Sequence, residues 1–595
     1  MQEVKTSSHV VLGSPEDLRK RIKKSAKLKG RQADEQSLDE VKALIGDFSR
    51  RDLLIENLHV LNDTFHGLHD RHLTALAKLM KISMAEVFEV ATFYHHFDVL
   101  RGDETNPSTT VRVCNSISCE LAGANDLLAR LPAILGNADV KIEAVPCVGR
   151  CEQAPVAVVH QHPVVNATTE KIKSLVDMQM KHHPKPSDIG QFEPAAFAEK
   201  AVTSNTNINI APDYCGYQTY QTQGGYQLLK SIVSGTKDTE SVIKAMEDSG
   251  LRGLGGAGFP AGRKWRIVKD QPAPKLMAIN IDEGEPGTFK DRTYLERDPH
   301  RFLEGMLIAA HVVGVDACYI YLRDEYHGCR ELLQSELDKL IANPPCQLPK
   351  IELRRGAGAY ICGEESAMIE SIEGKRGEPR MRPPYIAQIG LFGRPTLEHN
   401  FETLYWVRDI VQRGPEWFSG FGRNGRKGLR SFSVSGRVKE PGVKLAPAGI
   451  NVQQLIDEYC GGMLDGHSFY AYLPGGASGG ILPATMNDIP LDFDTLQPYG
   501  CFIGSAAVMI LSDKDKAKDA ALNVMRFFEH ESCGQCTPCR VGTSKAAKLM
   551  EASKWDQSTL NDLSQVMGDA SICGLGQAAP NPIRCIQKYF PGEVS

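Results

Sequence analysis

The stretch KLMAINI (275–281) leads directly into a polar turn, DEGEPG (282–287). A second apolar run, ACYIYLR (317–323), follows after the helical pattern RFLEGMLIAAHVVG (301–314), and KIELRR (350–355) comes after one more helical segment. Short apolar runs bounded by turn residues are typical of buried strands, and strands that alternate with helices form βαβ units with a parallel sheet. The sequence therefore predicts an α/β fold here, with ligands bound at the carboxyl ends of the strands.

On either side of this region the chain must divide further, because 595 residues are too many for one hydrophobic core. The predicted units are a flexible basic tail (1–35), a helical bundle (36–100), a small α/β domain (105–180), a linker (181–235), the α/β domain (236–427), an α+β module (428–513) and a helical segment (514–595). The bundle is indicated by Leu54, Leu58 and Leu61 at helical spacing and by a capping box formed by Ser83 and Glu86.

The composition narrows the classes of function. A net charge of −5 argues against nucleic acid as the main partner, and neither a signal peptide nor a membrane span is evident. Sixteen cysteines without a secretion signal indicate a reducing cytoplasm, where cysteines bind metal more often than they form disulfides. The basic run RKRIKKSAKLKGR (19–31) is interpreted as a solvated tail, with a docking arm for a partner subunit as the alternative.

Four cysteines near the C-terminus form the strongest motif. Three of them are spaced by two residues, and the set is Cys533, Cys536, Cys539 and Cys573. A tight loop that delivers three thiolates, with a remote fourth, suits a [4Fe–4S] cluster. The alternative is a structural zinc site, which usually shows two CxxC pairs instead.

A second quartet lies upstream, where TVRVC, VKIEAV and PVAVV are predicted strands of the small domain. It consists of Cys114, Cys119, Cys147 and Cys151, at or just after strand ends. Two pairs suit a [2Fe–2S] cluster, although the spacing alone fits zinc almost equally well. The presence of the other quartet favours iron and sulfur. The histidines at 95–96 and 182–183 are near neither quartet in the sequence and are interpreted as surface or packing residues.

Three glycine-rich segments lie in the α/β domain: 250–258, the turn that begins at Asn280, and 356–363. Glycines let backbone amides approach a phosphate closely, and Lys264 could pair with it. Three such segments favour a nucleotide site over chance turns. The alternative for Glu364 and Glu365 is a charge complement at a helix N-terminus. No hydrolytic constellation is recognisable, although such constellations are not local in sequence, so this absence excludes little.

These segments resemble a known family. RGLGGAGFPAGRKW, DEGEPGTFKDR, GAGAYICGEESAMIESIEGKRGEPR and ESCGQCTPCR are similar to the flavoprotein, NADH-binding subunit of respiratory NADH dehydrogenase. The CNSISC and CVGRC domain, with its helical bundle, resembles the thioredoxin-like [2Fe–2S] subunit of the same enzyme, and the two are fused here. Fused chains of this kind are diaphorase subunits of soluble enzymes.

Among those enzymes, the beta subunit of cytosolic NAD-dependent molybdenum or tungsten formate dehydrogenase is the most similar, through VSGRVKEPGVKLAPAGI and YLPGGASGGILPATMNDIPLDF. The diaphorase subunit of NAD-reducing hydrogenase is a near neighbour. Hydrogenase chains often have a degenerate N-terminal quartet, whereas this chain keeps all four cysteines.

The resemblance implies an α/β multidomain fold: a helical bundle plus thioredoxin-like ferredoxin domain, a Rossmann-like FMN/NADH domain, a ubiquitin-like (SLBB-type) domain and a C-terminal helical [4Fe–4S] domain. It also implies that FMN and NAD(H) share one pocket. The implied cofactor contacts are Gly253, Gly255, Gly256, Gly258, Phe259, Lys264, Asn280, Asp282, Glu283, Glu285, Tyr360, Gly363, Glu364, Glu365, Tyr385, Asn400 and Thr403.

Within that set the family assigns individual roles. Glu285 and Glu365 would contact the nicotinamide nucleotide, and Phe259 and Tyr385 would flank the adenine. The family motif NNxET reads His399-Asn400-Phe-Glu-Thr403 here, so its first asparagine is lost.

The implied function is NAD(H):acceptor oxidoreduction. FMN exchanges hydride with NAD(H) and single electrons with the clusters. Because FMN carries the chemistry, no residue is expected to be catalytic in the sense of proton transfer. The implied partner is a catalytic molybdenum or tungsten subunit that oxidises formate and holds further iron–sulfur clusters. The alternatives are the hydrogenase diaphorase and a non-enzymatic zinc-binding scaffold.

Overall fold

The computed structural model describes residues 30–136, 139–181 and 214–595. Most of the predicted basic tail, and the part of the predicted linker at 182–213 with its two histidines, lie outside the described residues. Within the described ranges, no helix has both the length and the apolar character needed to cross a bilayer.

The N-terminal unit is the predicted helical bundle. Its elements are α1 (Glu35–Leu44), α2 (Leu54–Phe65), β1 (Leu68–His69), α3 (Asp70–Met80), α4 (Met84–Phe93) and β2 (Val99–Leu100). Leu54, Leu58 and Leu61 are fully buried along one face of α2. The predicted capping box of Ser83 and Glu86 starts α4, so both predictions for this unit are confirmed.

A four-stranded sheet follows. The domain contains β3 (Thr109–Cys114), α5 (Ile117–Leu121), α6 (Ala124–Leu135), β4 (Val140–Val145), β5 (Ala157–Val159), β6 (His162–Val164) and α7 (Thr169–Asp177). The strand order is β4-β3-β5-β6, with β3 and β4 parallel and the other pairs antiparallel. The three predicted strands are confirmed. Cys114 ends β3 and Cys147 follows β4, so both pairs of cysteines emerge at the same edge of the sheet.

The described part of the predicted linker is ordered. It forms α8 (Tyr217–Thr222) and α9 (Gln227–Val233). Tyr220 and Tyr226 are buried there, the Tyr220 hydroxyl and the Tyr226 amide both donate to Glu304, and the Tyr226 hydroxyl lies 2.8 Å from the His300 Nδ1. Tertiary contacts of this kind stabilise helices too short to form alone.

The central sheet is parallel, as the strand–helix alternation predicts. Its unit contains α10 (Thr239–Asp248), α11 (Ala261–Lys269), β7 (Leu276–Ile281), α12 (Lys290–Leu295), α13 (Pro299–Val313), β8 (Ala317–Leu322), α14 (His327–Ala342), β9 (Lys350–Arg355), α15 (Glu365–Ile372), β10 (Thr396–Asn400), α16 (Phe401–Tyr405), α17 (Val407–Arg413) and α18 (Pro415–Ser419). The order is β10-β7-β8-β9. The carboxyl ends of β10 and β7 are in register, with Asn400 opposite Asn280.

The C-terminal part combines a mixed sheet with a helical unit. The elements are β11 (Leu429–Gly436), β12 (Gly442–Pro447), α19 (Val452–Gln454), β13 (Phe469–Leu473), β14 (Leu482–Pro483), β15 (Ala507–Ser512), α20 (Ala517–Glu531), α21 (Thr537–Met550), α22 (Gln557–Ala570), α23 (Gly574–Ala578) and α24 (Asn581–Tyr589). The strand order is β12-β11-β15-β13-β14. We call residues 429–512 the third module.

Candidate functional site

Three predicted residues organise the carboxyl ends of β7 and β10. The side-chain amide of Asn280 donates to the Gly363 carbonyl (2.8 Å), and that of Asn400 donates to Asp291 Oδ2 (2.7 Å). The Thr403 hydroxyl accepts from the Leu254 amide (2.9 Å), which holds the glycine-rich loop against α16. Asn280, Asn400 and Thr403 are therefore brought together at one edge of the sheet.

The glycine-rich loop 250–258 lies between this edge and the third module. A Cβ at Gly255 would stand 3.0 Å from the Asn400 side chain. Gly258 has φ +66°, and a Cβ there would lie 2.6 Å from the Phe493 ring. Gly256 lies near Gly504, and Gly253 pairs with the Phe259 carbonyl at 2.8 Å. Because its glycines have no side chains, the loop presents uncovered backbone at the strand ends, and this arrangement suits a phosphate.

Glu285 connects three parts of the chain. Its carboxylate accepts hydrogen bonds from the Ser478 amide (2.8 Å), the Ser478 hydroxyl and the Tyr360 hydroxyl. Burial raises the pKa of Glu285, and these donors oppose that effect. The acidic turn, the 356–363 loop and the third module therefore meet at one carboxylate. Ser478 was not predicted as a site residue, although it lies in the glycine-rich run PGGASGG.

The neighbouring acidic side chains have different surroundings. The Oδ2 of Asp282 is buried and has no hydrogen-bond partner among the described residues, and burial raises its pKa well above the ordinary value. Such an orphaned atom fits a site that a polar ligand completes. Glu283 is instead engaged within the protein, because it accepts from the Asp291 amide (2.9 Å) and the Tyr326 hydroxyl (2.8 Å). Burial raises the pKa of Glu283 to about 7.

The predicted charged contacts are paired with protein groups. Lys264 Nζ lies 3.0 Å from Glu398, and although burial disfavours its charge, Glu398 and Glu365 raise its pKa. Arg382 binds both Glu364 and Glu365. One oxygen of Glu364 also accepts from the amides of the first turn of α15, so the helix-cap alternative applies to this residue. Arg382 is a site residue that the motifs did not indicate.

The two predicted adenine-stacking residues are accessible. Phe259 is 37% exposed and Tyr385 is 56% exposed, and no ring contact joins them within the described ranges. His399, which replaces the first asparagine of the family's NNxET motif, has a packing role. His399 is buried and accepts from the Trp265 indole (2.8 Å), so it packs against α11. The roles of Phe259 and Tyr385 stay predictions.

The N-terminal quartet converges. All four thiols are buried, the sulfurs of Cys147 and Cys151 are 3.3 Å apart, and Cys114 contacts both Cys119 and Cys147. The amide of Gly149 points at the Cys147 sulfur (3.3 Å). This set of donors fits a [2Fe–2S] cluster.

The loop 147–151 packs directly on the strand-end site. Arg323, which follows β8, donates to the Cys147 carbonyl (2.7 Å) and to the Glu283 carbonyl. Tyr326 packs against Gly149 and donates to Glu283. The first quartet is therefore joined to the acidic turn through one arginine and one tyrosine.

Four buried charges fasten the same interface. Arg150 pairs with Glu296 (2.9 Å), and Arg292 pairs with Glu152 and, at 2.9 Å, with Glu296. Arg292 also donates to the Gly149 carbonyl (2.9 Å). We call these four side chains the interface ion network. Removing Arg292 would leave the buried Glu152 carboxylate without its ion-pair partner, which costs about 3–5 kcal/mol.

The C-terminal quartet lies on the other side of the site. Cys533 and Cys536 lie between α20 and α21, Cys539 is in the first turn of α21, and Cys573 precedes α23, whose first amides face its sulfur. Burial raises the pKa of Cys533 to about 11 and that of Cys539 to about 12, so these thiols need a bound cation to ionise at neutral pH.

The second quartet also adjoins the 356–363 loop. Glu531, two residues before Cys533, accepts from the Tyr360 amide (2.9 Å). A cavity of about 330 Å³ is lined by Glu364, Arg382 and Cys573. The cysteine donors fit a [4Fe–4S] cluster, and the glycine cradle with the orphaned Asp282 fits FMN beside it.

Three family models match the chain. They are the Nuo51 FMN-binding domain over 246–409, the NADH-ubiquinone oxidoreductase-F iron-sulfur binding region over 519–595, and the thioredoxin-like [2Fe-2S] ferredoxin over 40–179. Each quartet falls within one of the iron–sulfur models, and the strand ends fall within the FMN-binding model. The predicted cofactors FMN, [4Fe–4S] and [2Fe–2S] agree with these matches.

Individual known proteins are also similar to this chain in sequence or in structure. A subunit of the NADH-quinone oxidoreductase of Rhizobium meliloti is 38% identical over 403 residues, which cover 65% of this chain and 95% of that protein. The corresponding NADH-quinone oxidoreductase subunit of Aquifex aeolicus is 39% identical over 415 residues, with 67% and 95% covered. Among solved structures, an NAD+-reducing [NiFe]-hydrogenase in the H2-reduced state has a TM-score of 0.77 at 31% identity, covering 92% of this chain and 93% of that one.

Proposed function

Because the chain belongs to the family of FMN-binding NADH-quinone oxidoreductase subunits, here fused to a thioredoxin-like [2Fe–2S] domain, we propose that it is the diaphorase subunit of an NAD-dependent formate dehydrogenase. The position of the two quartets carries the diaphorase part of the proposal, and the complete N-terminal quartet carries the choice of formate. Both quartets adjoin the same strand-end site, one through Tyr326 and the other through Glu531. A site that exchanges electron pairs with one partner and single electrons with another needs this arrangement.

When FMN is bound, it supplies the chemistry, because it exchanges two electrons with NAD(H) as a hydride and single electrons with iron–sulfur clusters. The protein contributes binding and orientation. The backbone of 253–258 and the start of α11 would hold the flavin phosphate, and Asn280, Asn400 and Thr403 would fix the loops around it.

Glu285 and Tyr360 would position the nicotinamide nucleotide. Their hydrogen bond and the bonds from Ser478 fix the carboxylate between three parts of the chain. The third module covers the turn at this point and would exclude water from the reacting face. Arg382 would hold Glu365 at the mouth of the same pocket.

The proposal also gives the third module a ubiquitin-like fold and places the complex in the cytoplasm. A mixed five-stranded sheet with a helical segment that directly follows β12 supports the first point. The complete N-terminal quartet supports formate as the electron source, because hydrogenase chains often lack part of it.

The second candidate is the diaphorase subunit of an NAD-reducing hydrogenase. The observation in its favour is the structural likeness to the [NiFe]-hydrogenase chain over nearly the whole length. Both candidates share the flavin and NAD(H) chemistry and differ only in the partner that supplies electrons.

The test is to isolate the complex from its source organism with a tag on this chain, under anaerobic conditions. NAD+ reduction is measured with formate and with H2, and molybdenum, tungsten and nickel are quantified. Formate-driven reduction with molybdenum or tungsten supports the proposal. H2-driven reduction with nickel would refute it in favour of the second candidate. Flavin-loaded protein that reduces no viologen or quinone dye with NADH would defeat both.

A further inference from the structure

Two histidines of the helical bundle meet the strand-end edge of the central sheet. His59 lies on α2 and His96 follows α4, and their ring centroids are 5.0 Å apart. Asp63, one turn after His59, completes the group. Each of the three residues offers one potential ligand atom within 4.8 Å of the other two. We call this group the bundle triad.

Each histidine uses one ring nitrogen to contact the central domain. His59 Nε2 lies 2.8 Å from the Gly356 carbonyl, and His96 Nδ1 lies 2.8 Å from Asp324. Metal-bound histidines almost always donate their other nitrogen to a carbonyl or a carboxylate, which fixes the tautomer and the ring orientation. Both of these contacts are present.

The remaining nitrogens are the unusual feature. His59 Nδ1 and His96 Nε2 are buried, and neither has a hydrogen-bond partner in the part of the chain that the structure describes. A buried nitrogen without a hydrogen-bond partner is unfavourable, and here two of them lie in one group. Burial, reinforced by Arg355, also lowers the pKa of His59 well below its ordinary value, so its ring stays neutral.

The surrounding charges permit a cation. Arg355 donates to Asp63 Oδ2 (2.6 Å) and to Asp324 Oδ1 (2.5 Å), so one guanidinium serves two carboxylates. Arg330 and Glu331 add one charge of each sign nearby. The three carboxylates (Asp63, Asp324 and Glu331) and the two guanidinium groups (Arg330 and Arg355) together carry a formal charge of −1. Asp63 is 42% exposed, so the site opens to solvent on that side.

We propose that His59, His96 and Asp63 bind a divalent transition metal, best Zn²⁺, with water in the open position. Two imidazoles and one carboxylate form a donor set that zinc accepts. The metal would give both unpartnered nitrogens a partner. It would also stabilise the contact between the helical bundle and Gly356, which starts the loop that leads to Tyr360. The sequence suggested only surface or packing roles for the histidines at 95–96, and His59 follows no local motif.

The experiment uses the full chain loaded with FMN and both clusters. The protein is incubated with ZnCl2, passed over a chelating resin and analysed for zinc by mass spectrometry and by X-ray absorption at the zinc edge. We expect about one zinc per chain with nitrogen and oxygen neighbours at about 2.0–2.1 Å. Zinc held by cluster cysteines would instead show sulfur at about 2.3 Å.

Variants locate the site. His96→Gln should abolish zinc retention, and Asp63→Asn, which changes an exposed side chain, should weaken zinc binding by at least about tenfold. His311→Ala, at an exposed position of α13, is the matched control and should bind zinc as the unmodified chain does. Cluster and flavin spectra of every variant check folding. No retained zinc, sulfur coordination, or equal retention in Asp63→Asn and the control would each overturn the proposal.

Discussion

Replacing Gly149 with alanine tests how the [2Fe–2S] loop is joined to the flavin site. Gly149 has φ +71°, a backbone conformation that disfavours residues with a Cβ. A Cβ there would also lie within 2.7 Å of the Tyr326 ring carbon Cζ. Tyr326 must move, and its hydrogen bond to the buried Glu283 carboxylate must break.

The two costs can be estimated separately. The left-handed backbone costs about 1–2 kcal/mol in a residue with a Cβ. A hydrogen bond to a charged group contributes about 1.5–3 kcal/mol. Gly149→Ala should therefore destabilise the domain by about 2.5–5 kcal/mol. Gly123→Ala is the control, because Gly123 has φ +92° in the same domain and nothing lies within 4 Å of its Cβ position.

The assay is urea unfolding followed by visible circular dichroism of the [2Fe–2S] cluster. With a slope of about 2 kcal/mol/M, Gly149→Ala should lower the midpoint by about 1–2.5 M, whereas Gly123→Ala should lower it by about 0.5–1 M. Tyr326→Phe, which removes only the hydroxyl, should fall between the unmodified chain and Gly149→Ala. Equal midpoints for the two alanine variants would refute the reasoning.

Three further outcomes are expected. Glu285→Gln keeps an acceptor for Ser478 but removes the charge, so the KM for NADH in dye reduction should rise about tenfold with little change in kcat; an unchanged KM would contradict the proposed contact. Cys573→Ser should eliminate the [4Fe–4S] electron paramagnetic resonance signal and keep the [2Fe–2S] signal, and a retained [4Fe–4S] signal would disprove its role as a ligand. Burial holds the pKa of His399 well below 6.5, so as pH falls the unfolded chain takes up the proton first and stability is lost below about pH 6.5. His399→Gln, which keeps an acceptor for Trp265, should therefore show a smaller fall in Tm between about pH 7.5 and about pH 5, and an equal fall would count against this origin.

Local patterns made much of the site predictable. The cysteines of each quartet are recognisable because most of their spacing is short. Asn280 and Asp282 are recognisable because the first lies at the end of an apolar strand and the second follows that strand directly. Strand ends of a parallel sheet share one edge, so residues far apart in sequence could be placed together before any contact was known.

Contacts between modules could not be predicted in this way. Ser478 meets Glu285 only because the third module packs on the acidic turn. Tyr326 lies in an ordinary helix-start sequence, and its role depends on the docking of the [2Fe–2S] loop. Lys264, a predicted phosphate contact, also pairs with Glu398, a strand residue with no motif of its own.

Some short elements were missed because their signals are weak, and two of them illustrate the reason. The helix Tyr217–Thr222 is only six residues long and has a polar, aromatic composition without clear periodicity. The strand Leu482–Pro483 has two residues and follows a glycine-rich turn. Both are held by neighbouring parts of the fold more than by their own preferences.

The interface ion network restricts how the [2Fe–2S] domain can deliver electrons. A carrier that swings between two stations must undock in each cycle, and here undocking would expose Arg292 and Glu152 from a fully buried pair. The domain is therefore suited to stay in place, and a cluster held by its cysteines would act as a fixed relay beside Tyr326. Its rate of electron transfer would then depend on a constant spacing and on the cluster potential, and not on the viscosity of the medium.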